Sequence, residues 1–531
     1  MTLETTDNRS SAMAFLRHAV ARALPATPQE RAAALWSFAY FFTLLAGYYV
    51  LRPLRDQMAI TGGIRNLPWL FTATFATLLV AQPLYGMLVA RLPRARFIPI
   101  VNHFFVVNLA LFWLFLTLQI DTALVARIFY VWVAVFSLFS VAVFWSFMAD
   151  LFTADQGKRL FGFIGAGGTA GALLGPVLTI WLSVPLGPTN LLIPAMILIE
   201  AAVFCVWRLE RVATHHQTAG ARDERLGGSA FAAIPELIRS PYLIGLAAWI
   251  SLQSFCATML YFQQIHIVAA QIQGAGAQAR LFAAIDLAVN LLTLATQVLA
   301  TGQTLKRFGT GLTAAALPAV FVAGFVAIFL APTLAAVLAA QVAQRWIHFA
   351  LANPARQVFY TVLGREEKYK AKNLIDVVIY RGSDALYGWV FDSLQVLGLK
   401  LGSIALVAAP VSAIWLILSV TLGRSQEERA QEQRAQRQRA NPDRRFRHIR
   451  AVNGQTDTPS IHCLTRSRTR NCRDEGEFAG AGATRFARHH ASDPRNRRAS
   501  APCRSGHCRS LRRRRYVHAE KSRRRGARAD W

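Results

Sequence analysis

Two arginines and a carboxylate at the end of the first apolar segment are the residues best suited to binding chemistry. The segment begins near Ala32 and closes with the stretch Gly47–Asp56, GYYVLRPLRD. Arg52 and Arg55 are three positions apart, so on a helix their side chains share one face. A charge at the bilayer centre costs about 2.5–3.5 kcal/mol on insertion scales, and such residues normally face a bundle interior or a water-filled cavity. The spacing predicts an anion-binding face; the alternative is that both side chains snorkel to a membrane surface.

Further charged residues lie inside later apolar segments. Three arginines are expected to help bind the anion, because the planar guanidinium donates two parallel bonds to a phosphate or carboxylate: Arg345, Arg356 and Arg381. Four acids are expected either to carry a coupling proton or to neutralise these arginines: Asp56, Asp286, Asp376 and Asp384. Such intramembrane residues mark a polar pathway unless they only pair internally. Other polar residues of the same segments are Gln253, Gln263, Gln264, His266, Asn290, His348 and Asn353.

The composition indicates a polytopic membrane protein. The chain has 531 residues, of which 54% are hydrophobic and 16% charged, and the mean hydropathy is +0.31. About twelve apolar segments, each suited to a span of about 20 residues, lie near 32–52, 67–90, 98–118, 123–149, 160–183, 189–208, 241–264, 279–302, 311–330, 333–353, 371–397 and 401–423. We therefore expect an all-α membrane protein with about twelve transmembrane helices in two six-helix halves, the layout of transporters built from repeats.

The domain organisation follows from these segments. We expect a cytoplasmic N-terminal segment at 1–31, an N-terminal half at 32–208, a cytoplasmic linker at 209–239, a C-terminal half at 240–424 and a disordered basic tail at 425–531. Residues 441–531 hold 24 of the 58 Lys and Arg but 8 of the 29 Asp and Glu. They are interpreted either as a disordered polybasic tail or as out-of-frame sequence. Cys503, His507 and Cys508 fit no standard zinc spacing, so no metal site is predicted.

Basic residues predict the orientation, because cytoplasmic loops are enriched in Lys and Arg. Those on one side are Arg91, Arg94, Arg96, Lys158, Arg159, Arg208, Arg211, Arg222, Arg225, Lys306, Arg307, Arg365, Lys368, Lys370 and Lys372. Both termini and the linker are therefore expected to be cytoplasmic, in the inner membrane of a bacterium.

Catalytic signatures are missing from the sequence. The stretch Gly165–Pro176, GAGGTAGALLGP, contains a dinucleotide-like glycine pattern, but it follows no strand and lies in an apolar span. Gly167, Gly171 and Gly175 instead favour close helix packing. The sequence has no GxxxxGK[ST] loop, HExxH or GxSxG pattern. We expect no enzyme, no cofactor and no nucleic-acid partner; the expected partners are the lipid bilayer and a small anionic solute.

Several blocks resemble known transporters. The loop Gly86–Arg96, with Thr304–Gly309 as a thinner counterpart, resembles a degenerate major facilitator loop signature. YYVLRPLRD, VFWSFMADLFTADQGKRLFG, SPYLIGLA and NPARQVFYTVLGREEKYKAKNLIDVVIYRGSD resemble blocks of the nucleotide (ATP/ADP) translocases of obligate intracellular bacteria and plastids, and of their relatives in free-living bacteria. The resemblance runs from about residue 39 to about residue 423 and implies a major-facilitator-like fold.

The resemblance also implies roles for single residues. Arg55 stands where the family has a substrate-binding lysine, and Asp286 and Arg381 keep the family's residue types. Val133 and Tyr261 stand near functional glutamates of the family.

Asp384 replaces a usual lysine of the family. The expected function is secondary active transport of an anionic solute by alternating access, with nucleotide exchange as the implied activity. Two alternatives are a proton-coupled carrier of an unrelated small solute and a membrane scaffold or sensor that transports nothing.

Overall fold

The computed structural model describes residues 27–91, 94–213, 234–364, 367–368, 371–372 and 374–440. Three expected regions therefore lie wholly or largely outside the described residues. These are the N-terminal segment up to residue 26, the linker from 214 to 233, and the tail from 441 to 531.

The described residues form twelve principal helices and no strand. They are α1 (Pro28–Thr61), α2 (Leu67–Arg91), α3 (Arg94–Thr117), α4 (Thr122–Leu151), α5 (Ala154–Leu182), α6 (Leu192–Ala213), α7 (Pro241–Gln271), α8 (Ala275–Leu299), α9 (Thr301–Leu330), α10 (Leu334–Ile347), α11 (Tyr380–Val396) and α12 (Leu401–Ala440). Three shorter helices, left unnumbered, are Gly187–Asn190, Ile234–Arg239 and Asn353–Phe359. Two π-helical turns interrupt the pattern, at His348–Ala352 after α10 and at Leu374–Ile379 before α11.

Capping residues fix where several helices begin. The Thr27 hydroxyl accepts from the Glu30 amide and the Glu30 carboxylate accepts from the Thr27 amide, which is a capping box. Thr153 and Gln156 form the same arrangement at the start of α5. At α7 the Ser240 hydroxyl accepts from a backbone amide one turn into the helix. These local signals separate helices whose apolar segments nearly run together in the sequence.

Eleven helical segments of the described residues are long and apolar enough to cross a membrane. The expected segment near 371–397 is not among them. It comprises the second π-helical turn and α11, and Arg381, Asp384 and Asp392 make it too polar to qualify. The prediction of an all-α, multi-pass membrane protein is confirmed.

Buried apolar side chains form two clusters. One lies mainly among α1 and α3–α6, around Tyr40 and Phe144. The other lies mainly among α7–α12, around Trp249 and Trp415, and it includes Tyr130 from α4. The first six helices and the last six therefore meet along a shared apolar surface in the bundle interior.

The glycines of α5 pack against α1. A Cβ atom at Gly167 would lie 2.5 Å from the Phe38 carbonyl oxygen, and one at Gly175 would lie 2.6 Å from the Ala46 carbonyl oxygen. Only glycine permits this approach, so the predicted packing role of the stretch is confirmed. The contact fixes the depth and rotation of α1, which carries Arg52 and Arg55.

The last helix is longer than the sequence indicates. Residues 425–440 were expected in a disordered tail, but α12 continues to Ala440. Gln426 is buried, the Gln433 amide donates to the Val362 carbonyl at 2.7 Å, and the Arg429 guanidinium lies 4.7 Å from the Tyr242 ring centroid. The polar extension is ordered because it packs against the start of α7 and the turn at Val362 that follows the short helix Asn353–Phe359.

Candidate functional site

The nine predicted charged residues gather in the bundle interior as four groups, each built around one aspartate. Arg52, Arg55 and Asp56 lie on α1, where Pro53 is inside the helix. The others lie on helices of the second set: Asp286, Arg345, Arg356, Asp376, Arg381 and Asp384. Each of the five arginines has a carboxylate partner. Internal pairing thus describes this state of the protein, and snorkelling does not describe Arg52 or Arg55.

Asp286 of α8 joins the two helix sets. Its Oδ1 lies 3.7 Å from Nη1 of Arg52 on α1, and it also accepts a hydrogen bond from Nη2 of Arg345 on α10. The Asp286 side chain is 2% exposed, and those of the two arginines are 17% and 12% exposed. Asp286 Oδ2 and Arg345 Nε are buried with no protein partner. Two cations and one anion give this buried group a formal charge of +1.

Asp56 forms the second group, with Arg55 and two tyrosines. Arg55 donates from Nε at 3.1 Å and from Nη2 at 2.8 Å to Asp56 Oδ1. The Tyr261 hydroxyl donates to the same oxygen at 3.0 Å and accepts from the Tyr130 hydroxyl at 3.4 Å. The Arg55 guanidinium lies 5.0 Å from the Tyr130 ring centroid, a cation–π distance. This group joins α1 and α4 to α7.

Asp384 forms the third group, on α11. The Ser254 hydroxyl of α7 donates to Asp384 Oδ1 at 2.5 Å. Nη1 of Arg381 lies 3.5 Å from Asp384 Oδ2, one helical turn away. The Arg381 guanidinium also lies 5.4 Å from the Tyr380 ring centroid. The ion pair is at the long limit of a hydrogen bond, so Arg381 retains donor capacity.

Asp376 forms the fourth group, and both of its partners follow α10. Nη1 of Arg356 lies 3.6 Å from Asp376 Oδ1, and the Tyr360 hydroxyl donates to the same oxygen at 3.4 Å. Arg356 Nε is buried with no protein partner. Asp376 lies within the second π-helical turn and Arg356 follows the first. Single π-helical turns occur frequently at functional sites, and here they set the direction of both side chains.

A cavity of about 240 Å³ lies between the two helix sets. It is lined by Leu78, Gln82, Leu138, Gln253, His348, Arg356, Asp376, Tyr380 and Arg381. Two predicted arginines, Arg356 and Arg381, therefore lie in its wall. Arg52, Arg55 and Arg345 are not among its lining residues, so the structure divides the predicted cationic residues between the cavity wall and buried ion pairs.

Aromatic contacts close the bundle on one side of the cavity. The Trp389 indole of α11 donates to the Thr72 hydroxyl of α2 at 3.0 Å, and its ring meets Trp69 edge-on at 4.9 Å. Phe71 meets Phe262 of α7 at 5.1 Å. These contacts involve the start of α2 and the later parts of α7 and α11. The cavity lies toward the end of α2 and the start of α11.

Sequence reasoning missed the hydroxyl groups that hold the acids. Tyr261 replaces an expected glutamate, yet it takes part in the site as a donor to Asp56. Ser254 and Tyr130 carried no sequence signal beyond their place in apolar segments that also contain charges. Within the described residues, no group of three or more His, Cys, Asp or Glu side chains is placed to hold a metal ion.

Comparison with known proteins adds the family. The family model described as Major Facilitator Superfamily matches residues 22–363. A bacterial homologue of the iron transporter ferroportin in an inward-facing state is similar with a TM-score of 0.55 at 9% identity, covering 75% of this chain and 100% of that one. A POT family transporter in complex with a thioalcohol-conjugated peptide is similar with a TM-score of 0.54 at 10% identity, covering 76% of this chain and 99% of that one. A mutant of the nucleoside transporter NupG is similar with a TM-score of 0.50 at 12% identity, covering 74% of this chain and 99% of that one.

No curated protein matches the sequence. At these identities the solved structures show the fold alone. The resemblance to the nucleotide translocases stays a prediction, because the match is to the broader superfamily.

Proposed function

The chain belongs to the Major Facilitator Superfamily and is a multi-pass secondary transporter, and from that premise we propose that its solute is a small anion. The observation that carries the proposal is the pair of arginines, Arg356 and Arg381, in the wall of a cavity between the helix sets. Their carboxylate partners lie 3.6 and 3.5 Å away, so both retain unused donors. A phosphate or carboxylate in the cavity would meet those donors.

The charge balance of the interior supports an anion over a cation. Five arginines face four aspartates in the four groups, a formal excess of one positive charge. The excess lies on the Asp286 group, which does not line the cavity, so it favours an anion in the cavity through its electrostatic field and not through contact. A cationic solute would increase the excess.

Binding of the anion also supplies a route to proton coupling. When a substrate oxyanion takes the Arg381 donors, Asp384 keeps the Ser254 hydroxyl but loses its cation. A buried carboxylate that loses its counter-charge is neutralised most simply by taking up a proton. Asp384 is therefore the proposed coupling acid, with Asp376 in the same relation to Arg356. The alternative is exchange of one anion for another without a proton, because the anion that replaces the first one restores the same charge balance.

The volume of the cavity limits the size of the solute that fits in the present state. Pockets for drug-sized ligands are about 300–1,000 Å³, and this cavity is about 240 Å³. It suits a small carboxylate or phosphate ester in the present state, and a nucleotide requires a wider one. Nucleotide exchange remains the candidate that the sequence resemblance implies.

The aromatic contacts that close one side of the bundle indicate which side of the membrane the cavity faces. The aromatic contacts at Trp389 and Phe71 close the bundle where α2 begins, and the cavity lies toward the opposite side. With the orientation proposed from the basic loops, in a bacterial inner membrane with cytoplasmic termini, the cavity faces the cytoplasm. Alternating access then requires these contacts to separate.

The test is a thermal-shift screen of the purified chain against organic acids, phosphate esters and nucleotides, followed by uptake of each stabilising compound into proteoliposomes. Arg356→Gln and Arg381→Gln are expected to lower the affinity for the active anion by about ten- to a hundred-fold, as for loss of a charge-assisted hydrogen bond worth about 1.5–3 kcal/mol. Lys306→Gln removes one exposed charge outside the cavity and serves as the matched control.

Three results would contradict the proposal. Uptake of a cationic or neutral solute with no anion bound would exclude the substrate class. Full uptake by both arginine variants would remove the cavity as the site. A protein that binds anions but moves none of them would favour the alternative of a scaffold or sensor.

A further inference from the structure

The outer face formed by α3 and α6 carries a histidine–glutamate pair that the transport site does not use. His103 Nδ1 and Glu200 Oε1 lie 3.0 Å apart, and 55% and 43% of the two side chains are exposed. Glu200 is near the middle of the membrane span Gly187–Val212, and His103 lies within the span Ile98–Thr117. The pair is therefore exposed on the surface that faces lipid.

The surroundings of the pair are apolar. Exposed large side chains flank it on both helices: Ile100, Phe104 and Val107 on α3, and Ile193, Ile197 and Phe204 on α6. Such side chains contact lipid tails without cost, but a glutamate at this depth is expensive, and in membrane proteins such residues almost always face protein or water. The arrangement calls for a polar partner outside the chain.

We propose that a second copy of this chain covers the α3–α6 face, so that the two His103–Glu200 pairs meet across a two-fold axis. A two-fold interface uses the same patch on both copies. Since the pair places a base beside an acid, rotation by a half-turn sets His103 against Glu200 of the partner subunit, and the reverse. The bond within one copy uses Nδ1 and Oε1, so the contact between copies would use Nε2 and Oε2.

Charge complementarity favours a second copy over a different protein. A different partner would need its own matched base and acid at the same depth, whereas a second copy already has them. Apolar contact alone gives little drive for helix association in lipid, so hydrogen bonds between polar side chains and close packing decide it. The four side chains would form a ring of alternating imidazole and carboxylate groups enclosed by the apolar residues of both copies.

The proposed interface is separate from the transport site. Neither α3 nor α6 supplies any of the residues that line the cavity. Dimerisation can therefore fail without loss of uptake, and a failure of the substrate proposal would leave the dimer untouched.

The test measures the dimer fraction of the full-length chain in lipid vesicles by single-molecule photobleaching, over a series of lipid-to-protein ratios. The double substitution His103→Leu with Glu200→Leu is expected to shift the half-point of dimer dissociation by at least about tenfold toward monomer. The swap His103→Glu with Glu200→His is expected to retain the dimer, because it preserves the alternating ring. The single substitution His103→Glu is expected to lose it, because it sets four carboxylates together.

A matched control removes another exposed pair of similar geometry. Asp155→Leu with Lys158→Leu deletes a 3.0 Å pair at the start of α5 and is expected to leave the dimer fraction unchanged. A wild-type chain that stays monomeric at every ratio would overturn the proposal. An undiminished dimer in the double leucine variant would also overturn it, since the interface would then lie elsewhere. Purification of the wild-type protein from its native membrane with a different protein bound to this face would overturn it as well.

Discussion

Replacing Asp286 by asparagine is expected to be the most destabilising single change in the charged interior. Asp286 is the only carboxylate paired with Arg52 and Arg345 in the described part of the chain, and all three side chains are at least 83% buried. Removing one partner of a buried pair typically costs about 3–5 kcal/mol, because the remaining charge is left uncompensated. Two arginines lose their partner here, but Arg52 contributes less because it already lies 3.7 Å from Asp286. We therefore expect the cost of about one broken pair, a loss of about 3–5 kcal/mol in the free energy of unfolding.

The assay is denaturant unfolding of purified protein in mild detergent, followed by intrinsic tryptophan fluorescence. Arg345→Gln in the Asp286→Asn background should recover part of the loss, because it removes the stranded cation, and the coupling energy should be about 1.5 kcal/mol or more. Asp392→Asn, on α11 outside the four groups, is the matched control and should change stability by less than about 0.5 kcal/mol. If Asp286→Asn behaves like the control, or if the two substitutions are additive, the buried Asp286–Arg345 pair does not stabilise the charged interior.

Three further outcomes are expected. Arg55→Ala should lower uptake by about ten- to a hundred-fold, because it removes the charge-assisted hydrogen bonds to Asp56, worth about 1.5–3 kcal/mol, from the group that joins α1 and α4 to α7. Arg55→Lys should lower uptake by less, because lysine keeps the charge; normal uptake by correctly inserted Arg55→Ala protein would remove Arg55 from the transport cycle. Truncation after Ala440 should leave folding and uptake unchanged, whereas truncation after Gly423 should lower thermal stability by deleting the Gln433 contact to the Val362 carbonyl; equal stability of the two truncations would contradict this packing role. A single cysteine at Lys368 should resist an impermeant reagent added to whole cells, and efficient labelling there would reverse the proposed orientation.

Most of the helices could be predicted because they lie in long apolar segments with a polar or proline-containing end. The charged residues of the site could also be predicted, since a charge in such a segment stands out against its neighbours. Arg356 and Arg381 are the clearest cases, and both lie in the cavity wall.

The pairings could not be predicted. Which aspartate meets which arginine depends on which helices are neighbours, and Asp286 joins residues 234 and 59 positions away in the sequence. The role of Tyr261 was hidden for the same reason, because a tyrosine in an apolar helix becomes a hydrogen-bond donor to Asp56 only when α1 lies beside it. The ordered extension of α12 was missed because its sequence is polar throughout, and its partners lie on other helices.

The two π-helical turns have a consequence for how the cavity wall changes. A π-helical turn holds one residue more than an α-helical turn, and one residue corresponds to a rotation of about 100° around the helix axis. If the turn His348–Ala352 reverted to α-helical winding, Arg356 would turn about 100° away from its present direction while the start of α10 stayed in place. The extra residue in each turn would then allow a change in winding, without a movement of whole helices, to turn Arg356 away from the cavity or back into its wall.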